Sequence, residues 1–137
     1  MNHMVADASF CGAWFLEDES SAEAEALLQA IESGQVGLLV PSLWKYEILN
    51  LLRSACRRRR IAADDASAAQ VALSRVPLEK VDVPDAIAEA EILHLAQTQN
   101  LSAYDASYLE LALRFQVPLR TADAALKRAA RECGIPE

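Results

Sequence analysis

Short apolar runs alternate with longer helix-forming stretches along the chain, and this alternation restricts the fold more than any other feature. The apolar runs end at Asp7 or cover residues 36–40, 78–83 and 117–121. Between them lie longer stretches, most with ten or more residues and apolar side chains at helical spacing. Strands of four to six residues separated by helices of that length are typical of β-α units, which form a parallel sheet covered by helices. The sequence therefore predicts a three-layer α/β domain.

Capping residues and apolar stripes indicate where the helices begin and end. In the long central helix, apolar residues from Trp44 to Ala55 recur at helical spacing and predict its buried face. The expected helices run from Ser9 to Phe15, from Ser20 or Ser21 to Ser33, from Ser42 to Arg58, from Asp64 or Asp65 to Ser74, from Pro84 to Gln99, from Ser102 to Phe115 and from Asp123 to Cys133.

Length and composition predict one domain over residues 1–137 with one hydrophobic core, because 53% of the 137 residues are hydrophobic. The three cysteines form no Cys-x-x-Cys pair, which disfavours a zinc ribbon or a disulfide framework and favours a reducing, cytoplasmic setting. No segment approaches the roughly 20 continuous apolar residues that span a bilayer. The first fifteen residues lack a basic lead, so we expect neither a signal peptide nor contact with a membrane.

The formal net charge of −7 argues against a passive nucleic-acid binder, which would need local basic patches. An enzyme that collects divalent cations on carboxylates escapes this objection, because each bound cation changes the local sign. One basic run, Arg57, Arg58, Arg59 and Arg60, ends the long helix. It is either a solvated helix end favoured by the helix dipole or a weak RNA-binding patch.

Four acidic residues stand at positions that a parallel sheet would bring together. Asp7 and Asp123 follow the first and last strands, and Asp105 lies on the inward face of its helix. Glu47 borders the apolar stripe of the long helix, with Asn50 nearby. Each position alone has an ordinary explanation, such as an N-cap, a helix-dipole aspartate or a boundary glutamate. An inward-facing carboxylate is nevertheless costly to bury without a cation or a donor.

Together these acids form a set of hard oxygen ligands without His or Cys, which suits Mg²⁺ or Mn²⁺. Such ions activate water and stabilise the leaving oxygen of a phosphate ester. The two histidines assemble no Ser-His-Asp or Cys-His set, and the scattered glycines form no phosphate loop. A receiver domain or an Asp-x-Asp phosphatase is also disfavoured, because Ser9 stands where the phosphatase needs its second aspartate.

Four motifs in order give the chain a resemblance to a known family. They cover residues 5–9 with 14–19, 41–50, 101–109 and 121–123. In this order and spacing the chain resembles the PIN domain family, and within it the VapC-like toxins of bacterial and archaeal toxin–antitoxin pairs. The resemblance extends from Met4 to Gly134, and its third motif is the most distinctive.

The resemblance implies an α/β/α sandwich with a parallel sheet of four to five strands in the order 3-2-1-4-5. It implies Mg²⁺- or Mn²⁺-dependent RNA cleavage that leaves a 5′-phosphate, restraint by a small antitoxin protein, and a homodimer. It also assigns the site residues: Asp7, Glu47, Asp105 and Asp123 as catalytic and metal-binding, with Ser9, Asn50 and Thr121 as supporting polar residues.

Two departures from the family pattern bear on the last strands. Arg120 occupies a strand position where an apolar residue is usual. A fifth strand would follow Gly134, where Pro136 lacks an N–H for a sheet ladder, so that strand is expected to be vestigial. The functional alternative to the nuclease is a binding or regulatory module on the same fold with little or no catalysis.

Overall fold

The computed structural model describes residues 1–136, which form four strands and seven α-helices. The strands are β1 (Asn2–Ala6), β2 (Val36–Val40), β3 (Glu79–Lys80) and β4 (Leu119–Arg120). The helices are α1 (Ala8–Cys11), α2 (Ala22–Glu32), α3 (Leu43–Arg57), α4 (Ala63–Ser74), α5 (Ala86–Thr98), α6 (Ala103–Phe115) and α7 (Ala124–Glu132). Two 3₁₀ turns, Gly12–Trp14 and Glu17–Glu19, join α1 to α2. Each strand and helix expected from the sequence is present.

The strands form one parallel sheet in the order β3-β2-β1-β4, which confirms the predicted order. Helices cover both faces of the sheet. The chain moves one way along the sheet from β1 to β3 and then returns to β4, so right-handed crossovers place α1–α4 on one face and α5–α6 on the other. Residues 1–136 contain no fifth strand, and Glu137 lies outside the described residues.

The core lies between the sheet and its two helical layers. Helix α6 packs on β1, β2 and β4 and on α5, so Tyr108 and Leu109 are fully buried. The predicted face of α3 is also confirmed, with Trp44 and Ile48 wholly inaccessible to solvent. No helix within residues 1–136 has the length and apolar character needed to cross a membrane. All three cysteines are free, but only Cys11 is buried.

Several boundaries differ from the sequence predictions for local reasons. Helix α1 begins after Asp7, whose side chain accepts from the backbone N–H of Phe10, so Ser9 is not its cap. Helix α4 has Ala62 at its N-cap, and Asp65 instead accepts from the Ala62 N–H. Helix α5 begins after its cap, Asp85. Strands β3 and β4 lie at the edges of the sheet and are only two residues long.

Prolines limit the two edge strands at their amino ends. Pro77 precedes β3 and Pro118 directly precedes β4, and neither residue can donate a ladder hydrogen bond. Pro118 contributes only as an acceptor, from the backbone N–H of Val5. The longest paired stretch of the sheet is therefore the one between β1 and β2, which runs for most of their length.

The central position of α6 predicts that its buried residues dominate stability. Leu109→Ala should lower the free energy of unfolding by about 2–5 kcal/mol, because it opens a cavity beneath the sheet. Leu93→Ala on α5 is the matched control, since Leu93 is exposed and its removal should cost less than about 1 kcal/mol. Urea unfolding of both variants measures the difference, and equal losses would contradict this view of the core.

Candidate active site at the carboxyl edge of the sheet

The four predicted acids all lie near the carboxyl ends of the strands. Asp7 directly follows β1, Asp123 follows β4 after two residues, and the two aspartates cap α1 and α7. Glu47 lies near the start of α3, the helix that follows β2. Asp105 is in the first turn of α6. The carboxyl ends of parallel strands share one edge of a sheet, which is where open α/β folds bind ligands.

Asp7 is the most firmly held of the four. Its buried carboxylate accepts from the hydroxyl of Ser9 at 2.7 Å, from the hydroxyl of Thr121 at 2.6 Å and from the backbone N–H of Phe10 at 3.0 Å. Its own N–H donates to the carbonyl of Arg120 at 3.1 Å. Buried charge is tolerated when hydrogen bonds of this kind replace water. Asp7 therefore fastens the end of β1 to the end of β4.

The same hydroxyls extend the network to Asp123. Ser9 Oγ accepts from the N–H of Ala122, and Thr121 Oγ1 accepts from the N–H of Asp123, each at 3.0 Å. The Asp123 carboxylate accepts from the N–H of Leu126 at 2.8 Å, which is the capping bond of α7. Ser9 and Thr121, predicted as supporting polar residues, thus connect two of the four acids.

Glu47 has a partner that the sequence analysis did not assign. The hydroxyl of Tyr108, on α6, donates to the Glu47 carboxylate. Asn50, the amide expected beside Glu47, is exposed and makes no hydrogen bond within residues 1–136. One signal pointed to Tyr108: it lies three residues after Asp105 on the buried face of α6, and a buried tyrosine hydroxyl needs a partner.

Charge interactions connect each of the four carboxylates to at least one of the others. Burial raises the pKa of Glu47, and the charges of Asp7 and Asp105 raise it further against the lowering effect of the Tyr108 hydrogen bond. Burial likewise raises the pKa of Asp105, with the charge of Asp123 acting in the same direction. Asp105 is therefore the common neighbour of Glu47 and Asp123.

Asp7, the most buried of the four acids, shows the same opposing effects on its pKa. Burial raises its pKa, the hydrogen bonds from Thr121, Ser9 and Phe10 lower it, and the charge of Asp105 raises it. Burial also raises the pKa of Tyr108, and its bond to Glu47 adds to that rise, so its hydroxyl stays protonated and acts as a donor. The edge is thus a crowded group of carboxylates that resists full ionisation.

The donor set suits a hard divalent cation, but not as a ready-made chelate. Within residues 1–136, no three His, Cys, Asp or Glu side chains lie close enough to hold one ion together. Mg²⁺ does not require such a cage, because it keeps several waters and is commonly held by one or two carboxylates together with substrate phosphates. Carboxylates that raise one another's pKa also supply the negative potential that attracts a cation. The residues therefore fit Mg²⁺ or Mn²⁺.

The arginine run lies away from the acids. Arg57 is ten residues after Glu47 on α3, about 15 Å along the helix axis and toward the opposite edge of the sheet. Arg60 pairs with Asp18, at 2.7 Å and 2.8 Å, and with Glu19 at 3.4 Å. Arg57 and Arg58 are exposed, so the solvated helix end is the simpler interpretation of the run, and contact with RNA there remains a prediction.

A cleft of about 620 Å³ opens elsewhere, between α2, β4 and α7. Its walls include Leu27, Arg120 and Lys127, but none of the four acids. Glu23 is the one carboxylate among the described residues of its lining, so the cleft offers no group of acids able to hold a metal ion. The chemistry therefore favours the acidic edge as the functional site.

Comparison with known proteins identifies the fold family. The PIN domain family model matches residues 4–132, nearly the whole chain. The chain belongs to the PIN domain family. No curated protein matches this PIN domain.

Two solved structures resemble this PIN domain over most of its length. PAE2754 of Pyrobaculum aerophilum is 25% identical, with a TM-score of 0.69 over 94% of this chain and 79% of that one. VapC20 of Mycobacterium tuberculosis, described as a sarcin–ricin loop cleaving toxin, is 20% identical, with a TM-score of 0.61 over 98% of this chain and 97% of its own. These likenesses confirm the predicted PIN-like α/β architecture.

Crowding of the acids predicts that this PIN domain is less stable than a variant in which one of the crowded carboxylates is replaced by a neutral side chain. A carboxyl whose pKa is raised by folding binds more protons in the folded state, so stability falls as pH rises from the unfolded pKa through the folded one. Asp105→Asn removes that loss and should raise the melting temperature at pH 7 by roughly 2–4 °C in the presence of a chelator. The gain should vanish as pH falls below both pKa values.

Asp64→Asn is the matched control, since Asp64 is an exposed first-turn aspartate of α4, far from the acids in sequence. It should give no gain and a small loss, because the helix dipole favours its charge. Thermal unfolding across pH 3–8 measures both variants. A destabilised Asp105→Asn protein at pH 7 would contradict the crowding of the site.

Proposed function

We propose that this PIN domain is an Mg²⁺- or Mn²⁺-dependent ribonuclease that hydrolyses RNA phosphodiesters. The observation that carries the proposal is the convergence of Asp7, Glu47, Asp105 and Asp123 at one sheet edge, where the charges of neighbouring acids help to raise the pKa values of Asp7, Glu47 and Asp105. Such a group is unfavourable for folding unless a cation joins it. Family membership supports the same function.

Each acid has a role that follows from how it is held. Asp7 is fixed by three donors that leave its carboxylate little freedom, so it suits the position of a permanent ligand. Asp105 and Asp123 are held by fewer contacts, so either can join Asp7 as a further ligand beside water and a substrate phosphate. The Tyr108 hydroxyl orients Glu47 through a hydrogen bond. A carboxylate held in this way suits the role of holding a water in place or accepting its proton.

A bound Mg²⁺ or Mn²⁺ supplies Lewis-acid activation of water and neutralises charge on the phosphodiester. The protein's own contribution is positioning. The hydrogen bonds from Ser9 and Thr121 favour the ionised form of Asp7 and fix the orientation of its carboxylate. Preorganised groups of this kind avoid reorganisation during the reaction.

We propose further that the nuclease is the toxin of a toxin–antitoxin pair in the cytoplasm, restrained by a small antitoxin protein, and that it acts as a homodimer. The similarity in fold to VapC20 supports this role. A single PIN domain over residues 1–137 accommodates the whole proposed activity. Growth arrest on expression, abolished by Asp105→Ala, is the cellular result expected of such a toxin.

One observation favours a second candidate, a binding or regulatory module on the same fold. Within residues 1–136 the acids do not form a three-ligand cluster. A degraded site would show the same arrangement. Calorimetry separates the two candidates. A nuclease should bind Mn²⁺ through the acids, whereas a binding module should bind its protein partner and take up no divalent cation.

Cleavage of RNA tests the nuclease proposal. The wild-type protein should cut single-stranded RNA with Mg²⁺ or Mn²⁺, and a chelator should stop it. Asp7→Asn should reduce the rate by at least about a hundredfold, because it removes a ligand charge while nearly keeping the size and shape of the side chain. Asp64→Asn is the control and should cut as the wild type does. Equal rates for Asp7→Asn and the wild type would remove the acids from the reaction.

Tyr108→Phe tests the role of the hydroxyl that holds Glu47. The ring is fully buried and phenylalanine fills the same space, so the fold should persist. We expect kcat to fall about tenfold with little change in KM, since groups that orient a site residue have effects of that order. Unchanged kcat would show that the Tyr108–Glu47 bond serves only packing.

A further inference from the structure

Two exposed tyrosines stand beside the acidic edge. Tyr46 directly precedes Glu47, and Tyr104 directly precedes Asp105. Their exposed fractions are 74% and 67%, among the highest for large hydrophobic side chains of the described residues. Neither hydroxyl has a hydrogen-bonding partner within residues 1–136. The fold itself makes no use of either ring.

Helix geometry places both rings near the edge of the sheet where the acids lie. Tyr46 lies in the first turn of α3 and Tyr104 in the first turn of α6. Both helices start at the carboxyl edge of the sheet, because α3 follows β2 and α6 ends where the chain enters β4. Side chains on an α-helix lean toward its N-terminus, so each ring extends toward that edge. A substrate lying across the acids therefore passes both rings.

Few other groups near the acidic edge could bind a nucleic acid. Around the acids, phosphate attraction depends on bound cations, and the arginine run lies at the far end of α3. Stacking on an aromatic ring requires no positive charge and works with any base. Lys45, exposed and next to Tyr46, is the one basic residue directly beside either tyrosine in the chain.

Resting on the proposed nuclease function, we infer that Tyr46 and Tyr104 are RNA-binding residues whose rings stack on unpaired bases beside the scissile phosphate. A ring can stack only on a base that is free of its duplex partner, so paired RNA loses this contact. Together, one ring on α3 and one on α6 bracket the acidic edge. The tyrosines are binding and specificity residues, and the acids carry the chemistry.

The test measures binding separately from cleavage. Fluorescence anisotropy with labelled oligoadenylate and oligouridylate, single-stranded or annealed to each other, uses the Asp7→Asn protein so that no turnover occurs. Tyr46→Ala and Tyr104→Ala, each added to this protein, should weaken single-stranded binding by roughly tenfold. Tyr→Phe at either position should restore it, because the ring is kept.

Phe115→Ala provides the matched control. Phe115 is also exposed and lies on α6, but at its last position, about 15 Å along the helix from Asp105. Its removal should leave RNA binding unchanged. In cleavage assays on otherwise wild-type protein, the Tyr→Ala variants should raise KM and leave kcat within about twofold.

The outcomes separate this inference from the nuclease proposal. Tyrosine-dependent RNA binding without any cleavage would overturn the nuclease and leave the stacking role intact. Cleavage that needs the acids but proceeds equally in the Tyr→Ala variants, or equally on duplex RNA, overturns the inference. A Tyr→Ala variant that changes molar mass in light scattering while RNA binding persists assigns the rings to a protein interface and also overturns it.

Discussion

Burial of the Asp7 carboxylate, close to other acids, is the constraint on which the organisation of the site depends. Asp7 is buried at the end of the central strand β1, where an unpaired charge would be costly. Three donors offset that cost, and two of them, the hydroxyls of Ser9 and Thr121, come from opposite ends of the chain. The network therefore joins β1 to β4, fixes the short edge strand and brings Asp123 to the edge. The same hydrogen bonds hold β1 and β4 together and assemble the site.

Helix N-termini moderate the remaining repulsion. Helices α1, α3, α6 and α7 all begin at the carboxyl edge, and the first turn of a helix carries partial positive charge from its free N–H groups. Asp7 and Asp123 accept from those N–H groups as caps. The capping explanation and the functional explanation for these aspartates are thus compatible, because a cap leaves one or more carboxylate lone pairs directed outward. Asp105 is not a cap, so the repulsion between its charge and the neighbouring acids is offset least.

Much of this arrangement could be predicted from sequence because it depends on topology. Alternating strands and helices imply a parallel sheet, and a parallel sheet brings residues 7 and 123 to one edge regardless of side-chain detail. The pairing of Glu47 with Tyr108 could not be predicted, since it depends on the distance between α3 and α6, sixty-one residues apart. The contact of His3 with Glu79 across the sheet depends on register in the same way. The exposure of Asn50 follows from helix geometry, because the buried residues Trp44 and Ile48 lie on the opposite side of α3.

Anomalous diffraction from crystals grown with Mn²⁺ tests most directly whether the acids form a cation site. We expect an anomalous peak at the carboxyl edge, with oxygen atoms of Asp7 and of at least one other member of the four at coordination distance. A map with no peak there, or with Mn²⁺ only at surface acids such as Asp64 and Asp65, would contradict the central claim that the four carboxylates are gathered to hold a metal ion.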